Sequence, residues 1–160
     1  MERGEIQQQW AEILLAHLPK HIAQRERGAI TSSLAITDKQ VTIREAETSF
    51  GPGNVVTTFI KSEHVTEVFS SYGQRGIPAI KVALTVTEQA KEYLQAGVPV
   101  GSFLADQLLL PLALAGQGEF VTVRPSSHAI TNMAVINLFT GVKFTSKEIR
   151  ENVWRIGVDV

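Results

Sequence analysis

The chain contains no cysteine, which excludes disulfide bonds, thiolate chemistry and zinc sites with cysteine ligands. It also lacks an excess of charge of either sign, because 15 lysine and arginine residues nearly balance 16 aspartate and glutamate residues. A formal net charge of −1 gives no long-range attraction to nucleic acid or to a membrane surface. A polyanion would therefore have to bind at a local patch.

Long apolar segments are missing as well. The longest one, Leu108–Gly116, is too short to span a bilayer and contains a proline. The opening residues, MERGEIQQQW, have no apolar core of the signal-peptide type. Together with the absence of cysteine, which fits a reducing compartment, these features predict a soluble cytoplasmic protein with no membrane partner.

What the chain does contain is typical of a globular protein. Its 160 residues are enough for one ordinary domain, or for one and a half small ones. Hydrophobic residues make up 44% of the chain, while the charged fraction of 19% is somewhat low for a solvated surface. The composition therefore predicts a folded chain with a hydrophobic core.

Residues 1–76 predict a small α+β unit. Residues 5–18 are ambiguous, because their apolar spacing suits a helix while the cluster Ile13-Leu14-Leu15 suits a buried strand. Pro19 fits the first position of a helix that should end near Gly28. Three strands are then expected, the last two as antiparallel neighbours, with a tight turn between the first and second. Their expected positions are Lys39–Glu47, Val55–Ser62 and Val65–Gly73, and the turn is at Gly51–Asn54.

Residues 77–160 predict apolar helices with few strands. Helices are expected at Pro78–Leu94, Asp106–Ala115 and Ala129–Phe139, followed by Gly97, Gly116 and Gly141 as end signals. A strand is expected at Glu119–Arg124. The apolar alternation of Val142 and Phe144, and then of Trp154 to Val160, predicts a hairpin with one buried face. Few strands combined with this many apolar helices would make only a thin core if the block stood alone. This block is therefore expected to be part of a larger sheet.

The stretch RPSSHAITN, Arg124–Asn132, places a lone histidine in the first turn of the third of these helices. Ser126 or Ser127 is a good N-cap, because a serine oxygen can accept a hydrogen bond from a free amide of that turn. His128 then lies at the positive end of the helix dipole, which disfavours the imidazolium and attracts phosphate. A neutral imidazole beside a phosphate suits phosphoryl or nucleotidyl transfer to histidine. A histidine that only packs or caps is the alternative.

A second set of residues lies at the start of the preceding helix, in GSFLADQLLLP. Phe103, Asp106 and Gln107 are three and four residues apart, so they share one face if the helix begins that early. A ring, a carboxylate and an amide on one face could stack on a base, hold a metal ion or ribose, and read a base edge. The alternative is a capping turn, with the aspartate favoured by the dipole and the phenylalanine in the core.

These stretches resemble one known family. The C-terminal catalytic region of the RNA 3′-terminal phosphate cyclases looks like LADQLLLPLALAGQGEF followed by RPSSHAITNMAVI. The small domain inserted in that family is similar to GPGNVV, SEHVTEVF and LPKHIAQRE, and the resemblance covers nearly the whole chain in the family's order. It implies an α+β fold: a small α/β insert domain, residues 1–76, and then one α/β repeat, residues 77–160, of a larger, incomplete catalytic domain.

The resemblance implies an ATP-dependent enzyme of the ligase class that converts an RNA 3′-phosphate into a 2′,3′-cyclic phosphate. The family's histidine attacks the α-phosphate of ATP and becomes a covalent histidine–AMP. The AMP passes to the RNA 3′-phosphate, and the vicinal 2′-hydroxyl then displaces it. The catalytic histidine carries over to His128. The nucleotide-binding run carries over to Phe103, Leu104, Ala105, Asp106 and Gln107.

Two positions depart from the family's pattern. Phe103 stands where the family has a tyrosine, which preserves stacking on adenine but loses the hydrogen bond of the hydroxyl. Ser127 stands where a cysteine can occur, and we expect little consequence from that change. The larger departure is in length, because members of the family are about twice as long and their first half carries a glycine-rich segment and basic residues that complete the ATP and RNA site.

Cofactors and partners follow from the same resemblance. ATP and a divalent ion, Mg²⁺ or Mn²⁺, are implied because nucleotidyl transfer must neutralise the charge of the leaving pyrophosphate. No metal ligand is assigned, although Arg124 could help to neutralise that charge. The implied partners are an RNA with a 3′-phosphate end and the missing N-terminal half of the cyclase, or a split partner that supplies it.

Two other functions compete with the enzymatic one. The chain could be a non-catalytic RNA-binding module of the ribosome-assembly kind, with Lys20, Arg25 and Arg27 as RNA contacts, although a solvated helix face is the more usual explanation of three such cations. It could also be an inactive truncated product that associates through exposed sheet edges.

Overall fold

The computed structural model describes residues 2–159, and side-chain environments within residues 2–158. These residues form two compact units, of mixed α and β structure. One unit is Glu5–Glu92, called the N-terminal unit below; the other, the C-terminal unit, takes the described residues before Glu5 and after Glu92. The predicted α+β class is confirmed. The predicted domain boundary between residues 76 and 77 stays a prediction.

The N-terminal unit is built on a four-stranded sheet with the order β2-β1-β3-β4. Its strands are β1 (Ile6–Ala16), β2 (Val41–Glu45), β3 (Gly53–Ser62) and β4 (Thr66–Tyr72). β1 pairs with β2 in parallel and with β3 antiparallel, and β3 pairs antiparallel with β4 as expected. The ambiguity over residues 5–18 is thus resolved as a strand. Alternate residues Ala11, Ile13 and Leu15 are buried, the period-two pattern of a sheet with one covered face.

The first helix, α1 (Lys20–Leu34), covers that buried face of the sheet. It begins directly after Pro19, as predicted, but the predicted end near Gly28 is wrong. Ala23, Glu26 and Ile30 are all fully buried at helical spacing, so the packing of Ile30 carries the helix through the glycine. A glycine inside a helix costs only about 1 kcal/mol, which such packing exceeds.

Two further predictions in the N-terminal unit need correction or extension. The predicted turn at Gly51–Asn54 is too long, because β3 already begins at Gly53 and Asn54 pairs with Leu15 of β1. A short 3₁₀ helix, Asp38–Gln40, precedes β2, with Thr37 and Gln40 forming a capping box.

The helix predicted from Pro78 is present as α2 (Ala79–Ala96) and is followed by Gly97 with a φ of 64°.

The C-terminal unit has two helices and a three-stranded antiparallel sheet with the order β5-β7-β6. Its elements are α3 (Ser102–Ala115), β5 (Glu119–Thr122), α4 (Ser127–Thr140), β6 (Lys143–Arg150) and β7 (Val153–Asp159). The hairpin predicted at the end of the chain is present as β6 and β7. Val142, expected on its first strand, lies just before β6, and Val160 lies outside the described residues.

One hydrophobic cluster of this unit brings together residues of its helices and of its sheet. It consists of Val100, Ala105, Leu109, Ala113, Phe120, Ala129, Ile136 and Ile156. Several large apolar side chains on α3 and α4 stay outside it, including Leu114, Leu138 and Phe139, which are 74%, 83% and 87% exposed. These exposed apolar side chains agree with the expectation that the block is part of a larger domain. No helix among residues 2–159 is long and apolar enough to cross a membrane.

Candidate active site

The first turn of α4 is fixed by a serine cap. Ser126 is the N-cap, and its Oγ accepts a hydrogen bond of 3.1 Å from the backbone N–H of Ala129. Ala129 is itself fully buried, so the turn is held both by the cap and by the core. His128 lies between these two anchors and is exposed to solvent. The ring is therefore neither buried among aliphatic side chains nor used as the cap.

His128 lines a shallow concavity of about 450 Å³. The other residues that line it are Asp106, Ser127, Thr131, Asn132 and Val135. Five of the six side chains are polar, and they come from both α3 and α4. The structure thus brings the histidine and the aspartate of the two sequence motifs to one concave surface that is open to solvent.

Asn132 joins the two helices at this concavity. Its Nδ2 donates to Asp106 Oδ1 at 3.1 Å, and it also approaches the backbone oxygen of Asp106 at 3.4 Å. One carboxylate oxygen of Asp106 is thereby held by an amide, which orients the carboxyl group within the concavity. Since Asn132 follows His128 by one helical turn, the same helix carries the histidine and positions the aspartate.

The run Phe103–Gln107 divides between two faces of α3. The helix begins at Ser102, so Phe103, Asp106 and Gln107 do share a face, and Phe103 is 46% exposed. Leu104 packs against the core and Ala105 is buried within it. The side chains of these two residues therefore face the protein, and any contact they make with a ligand would use the backbone.

The remaining parts of the predicted site are less well defined. Arg124 is exposed after β5 and does not line the concavity. Among residues 2–159, no three histidine, aspartate or glutamate side chains are grouped as a metal site. Asp106 is the carboxylate that the concavity offers, and Mg²⁺ is often held by one or two carboxylates together with substrate phosphates. The residues present thus fit a metal ion that is bound jointly with a nucleotide.

The sequence reasoning missed Thr131, Asn132 and Val135 as lining residues. A signal was available, because they follow His128 by three, four and seven residues and so share its helical face. Only the partner of Asn132 on α3 required the structure. The sequence shows the motif around His128 and the motif around Asp106 separately, and no pattern of neighbouring residues predicts that they meet.

A second feature outside this concavity was also missed. Glu26 of α1 is fully buried, and burial raises its pKa to about 7, an effect that a hydrogen bond from Asn54 Nδ2 to Oε1 partly opposes. Its other oxygen, Oε2, has no hydrogen-bond partner among the described residues. The carboxyl group borders a cavity of about 310 Å³ in the N-terminal unit, next to Ile22 and Val82. The sequence contains a signal for this burial, because Glu26 follows Ala23 by three residues and precedes Ile30 by four, which places it on the same apolar helical face.

The described residues thus form two units of mixed α and β structure, and the C-terminal unit places a histidine at a helix N-terminus, a position that favours anions. Residues 1–95 match the family described as "RNA 3′-terminal phosphate cyclase (RTC), insert domain". The chain therefore belongs to the RNA 3′-terminal phosphate cyclase family, and the predicted resemblance is confirmed.

Two relatives extend the similarity beyond the insert domain. The RNA 3′-terminal phosphate cyclase of Salmonella agona (strain SL483) is 42% identical over 153 residues, which are 96% of this chain and 44% of that protein. The RNA 3′-terminal phosphate cyclase of Koribacter versatilis (strain Ellin345) is 42% identical over 158 residues, 99% of this chain and 44% of that protein. The chain thus spans less than half the length of these relatives, in agreement with a part of a larger catalytic domain.

Proposed function

We propose that this chain carries the histidine-bearing portion of an ATP-dependent RNA 3′-phosphate cyclase, with His128 as the nucleophile. The observation that supports the proposal best is the exposed ring at the serine-capped start of α4, in one concavity with Asp106. Free amides and the dipole at that helix start favour a bound phosphate beside the ring.

In the first step, a ring nitrogen of His128 attacks the α-phosphorus of ATP. The P–N bond forms as the bond from the α-phosphorus to the bridging oxygen breaks, and pyrophosphate leaves with that electron pair. In the second step, an oxygen of the RNA 3′-phosphate attacks the same phosphorus and displaces the histidine. In the third, the vicinal 2′-hydroxyl attacks the RNA phosphorus, AMP leaves, and the 2′,3′-cyclic phosphate remains.

Three residues of α3 support these steps by position. The exposed ring of Phe103 offers a face on which adenine can stack, and Gln107 offers an amide on the same helical face. Asp106, held by Asn132, would accept a hydrogen bond from a ribose hydroxyl or serve as a protein ligand of a divalent ion. A divalent ion supplies neutralisation of the polyphosphate charge, which lowers the barrier to loss of pyrophosphate.

The relatives are longer than this chain, so the proposal includes a partner. We propose that the segment corresponding to the N-terminal part of the relatives completes the ATP and RNA sites, either in the same polypeptide or as a separate chain. The exposed apolar side chains of α3 and α4, among them Leu138 and Phe139, are the surface that such a segment would cover.

The test uses ATP labelled at the α-phosphate, a divalent ion, and the chain with and without the N-terminal portion of the Koribacter versatilis relative. We expect covalent label that is labile in acid and stable in base, as for a phosphoramidate, and stronger when the added portion is present. His128→Asn should abolish the label. The matched control is His21→Asn, an exposed histidine on α1, which should label normally.

Two results would end the proposal. One is equal labelling of the wild type and of the His128→Asn variant. The other is a labelled wild type that cannot pass AMP to an RNA ending in a 3′-phosphate, because that outcome would leave histidine chemistry without the cyclase reaction. An unlabelled but folded chain, in the presence of the added portion, would favour the non-catalytic module instead.

A further inference from the structure

The four-stranded sheet of the N-terminal unit has one covered face and one open face. The covered face carries the buried side chains Ala11, Ile13, Leu15, Val56, Ile60 and Phe69. Successive strand residues point to opposite faces, so the residues between these belong to the open face. We followed the open face over Trp10–Leu14 of β1, Val55–Lys61 of β3 and Thr66–Tyr72 of β4. Each side chain that alternates with the buried set in these ranges is at least partly exposed.

Aromatic rings define two rows across the open face. In the first row Trp10 pairs with Phe59, and Phe59 pairs with Val68. The two rings stack with centroids 4.7 Å apart and planes at 4°, so each has its other face free of this contact. In the second row Leu14 pairs with Val55, which pairs with Tyr72, a residue that is 66% exposed.

The charge of this face differs in sign from that of the whole chain. Arg44 is the register partner of Leu14, so it extends the second row, and Lys61 lies two residues beyond Phe59 on β3. Both cations are exposed, and neither forms an ion pair within the described residues. Glu12 is the carboxylate that these strands place between the rows. The face therefore carries a small positive excess beside three aromatic rings.

Rings and cations on an uncovered four-stranded sheet are the two components that single-stranded nucleic acid requires. Bases stack on aromatic side chains whatever their sequence, and lysine and arginine neutralise the phosphates between them. The core of a protein–protein interface is depleted in charged residues, whereas this face carries the exposed cations Arg44 and Lys61 beside its rings and Glu12 between the rows. The observations thus favour RNA over a protein.

We propose that this open sheet face binds single-stranded RNA, with bases stacked on Tyr72 and on the Trp10–Phe59 pair and phosphates on Arg44 and Lys61. The proposal rests on the proposed function, in which the substrate is an RNA end, and it adds a contact surface outside the His128 concavity. Two or three bases are held in this way on comparable sheets.

The experiment measures anisotropy of a labelled RNA octamer ending in a 3′-phosphate, with the full chain and without ATP. Tyr72→Ser should weaken binding about 5- to 150-fold, the effect of losing one stacked base, while Tyr72→Phe should bind as the wild type does. The matched control is Phe50→Ser, which removes a fully exposed ring outside the sheet. Because Tyr72 is exposed, its replacement is expected to leave the fold intact, which circular dichroism verifies.

The cations are tested through the salt dependence of the same binding. Arg44→Gln and Lys61→Gln should each weaken binding and reduce the slope of log K against log salt by about 0.7, the value per phosphate contact for single strands. Arg25→Gln on α1, which covers the other face, is the control and should change neither. Glu12→Gln should strengthen binding, since it removes the carboxylate between the rows.

The outcome separates this proposal from the proposed function. His128→Asn should bind the octamer as the wild type does, and Tyr72→Ser should still accept label from ATP, so each idea can fail alone. Unchanged binding in Tyr72→Ser and Arg44→Gln would overturn the open-face proposal. So would protection of β1 and β3 from hydrogen exchange by the N-terminal portion of a relative together with loss of RNA binding, because a protein would then occupy the face.

Discussion

The buried carboxyl group of Glu26 makes the stability of the N-terminal unit depend on pH in a direction opposite to that of most carboxylates. The group is fully buried, Asn54 donates to one of its oxygens, and the other has no partner among the described residues. Because burial disfavours the charged form, the pKa is raised from 4.5 to about 7. The folded unit therefore favours the protonated acid.

The sign and size of the effect follow from proton linkage. Between pH 4.5 and about 7 the folded unit holds a proton that the unfolded chain has released, so its free energy of unfolding falls as the pH rises through this window. The difference between the two pKa values corresponds to about 3 kcal/mol, at 1.36 kcal/mol per unit. The stabilisation is complete below the unfolded pKa and lost above the folded one.

The perturbation is Glu26→Gln, which keeps an oxygen for the Asn54 amide and cannot ionise. Urea unfolding would be followed by Trp10 fluorescence in a Trp154→Phe background, so that the signal comes from the N-terminal unit. We expect the variant to match the parent near pH 4 and to exceed its free energy of unfolding by up to about 3 kcal/mol near pH 8. Glu88→Gln, at an exposed position of α2, is the control and should follow the parent at both pH values.

The reasoning would be refuted by parallel stability profiles of the parent and the Glu26→Gln variant across this window. It would also be refuted by a variant that loses stability at about pH 8, because that result would mean the ionised carboxylate is stabilised by the fold. Either result would show that water or an unseen partner satisfies Oε2.

Three further predictions concern the C-terminal unit. Ser126→Ala should destabilise it by about 1 kcal/mol through loss of the N-cap, whereas Ser127→Ala should cost much less, as read by urea unfolding followed at Trp154 in a Trp10→Phe background. Leu109→Ala should cost about 2–5 kcal/mol because Leu109 is fully buried, while Leu114→Ala on the same helix, 74% exposed, should cost under about 1 kcal/mol; similar losses would contradict the assigned core. Phe103→Ala should raise the ATP concentration needed for half-maximal labelling about 5-fold or more, and Phe103→Tyr should not; equal values would exclude stacking on this ring.

The helices of the second half were predictable because their signals are local. Gly97, Gly116 and Gly141 follow α2, α3 and α4 with φ values of 64°, 68° and 74°, a conformation that glycine adopts without strain. The N-cap of α4 was predictable for the same reason: the sequence predicts Ser126 or Ser127, and Ser126 is the cap. Such features depend on a few neighbouring residues, and the sequence contains all of them.

Residues 5–18 were not predictable, because an apolar cluster of that length fits a buried strand and a helix equally. Only the pairing of β1 with both β2 and β3 decides for a strand, and those partners lie far along the chain. The length of α1 is a similar case, since Ile30 extends the helix beyond Gly28 only through burial against the sheet.

The sequence by itself determined the family, the helical start that carries His128, and the face shared by Phe103, Asp106 and Gln107, because a residue pattern and a helical period are properties of adjacent positions. The tertiary structure alone decided that Asp106 and His128 line one concavity, through an amide on Asn132, 26 residues from Asp106. It alone also buried Glu26 and left one face of the first sheet open. Contacts between distant residues depend on how whole elements pack, and no local pattern encodes that.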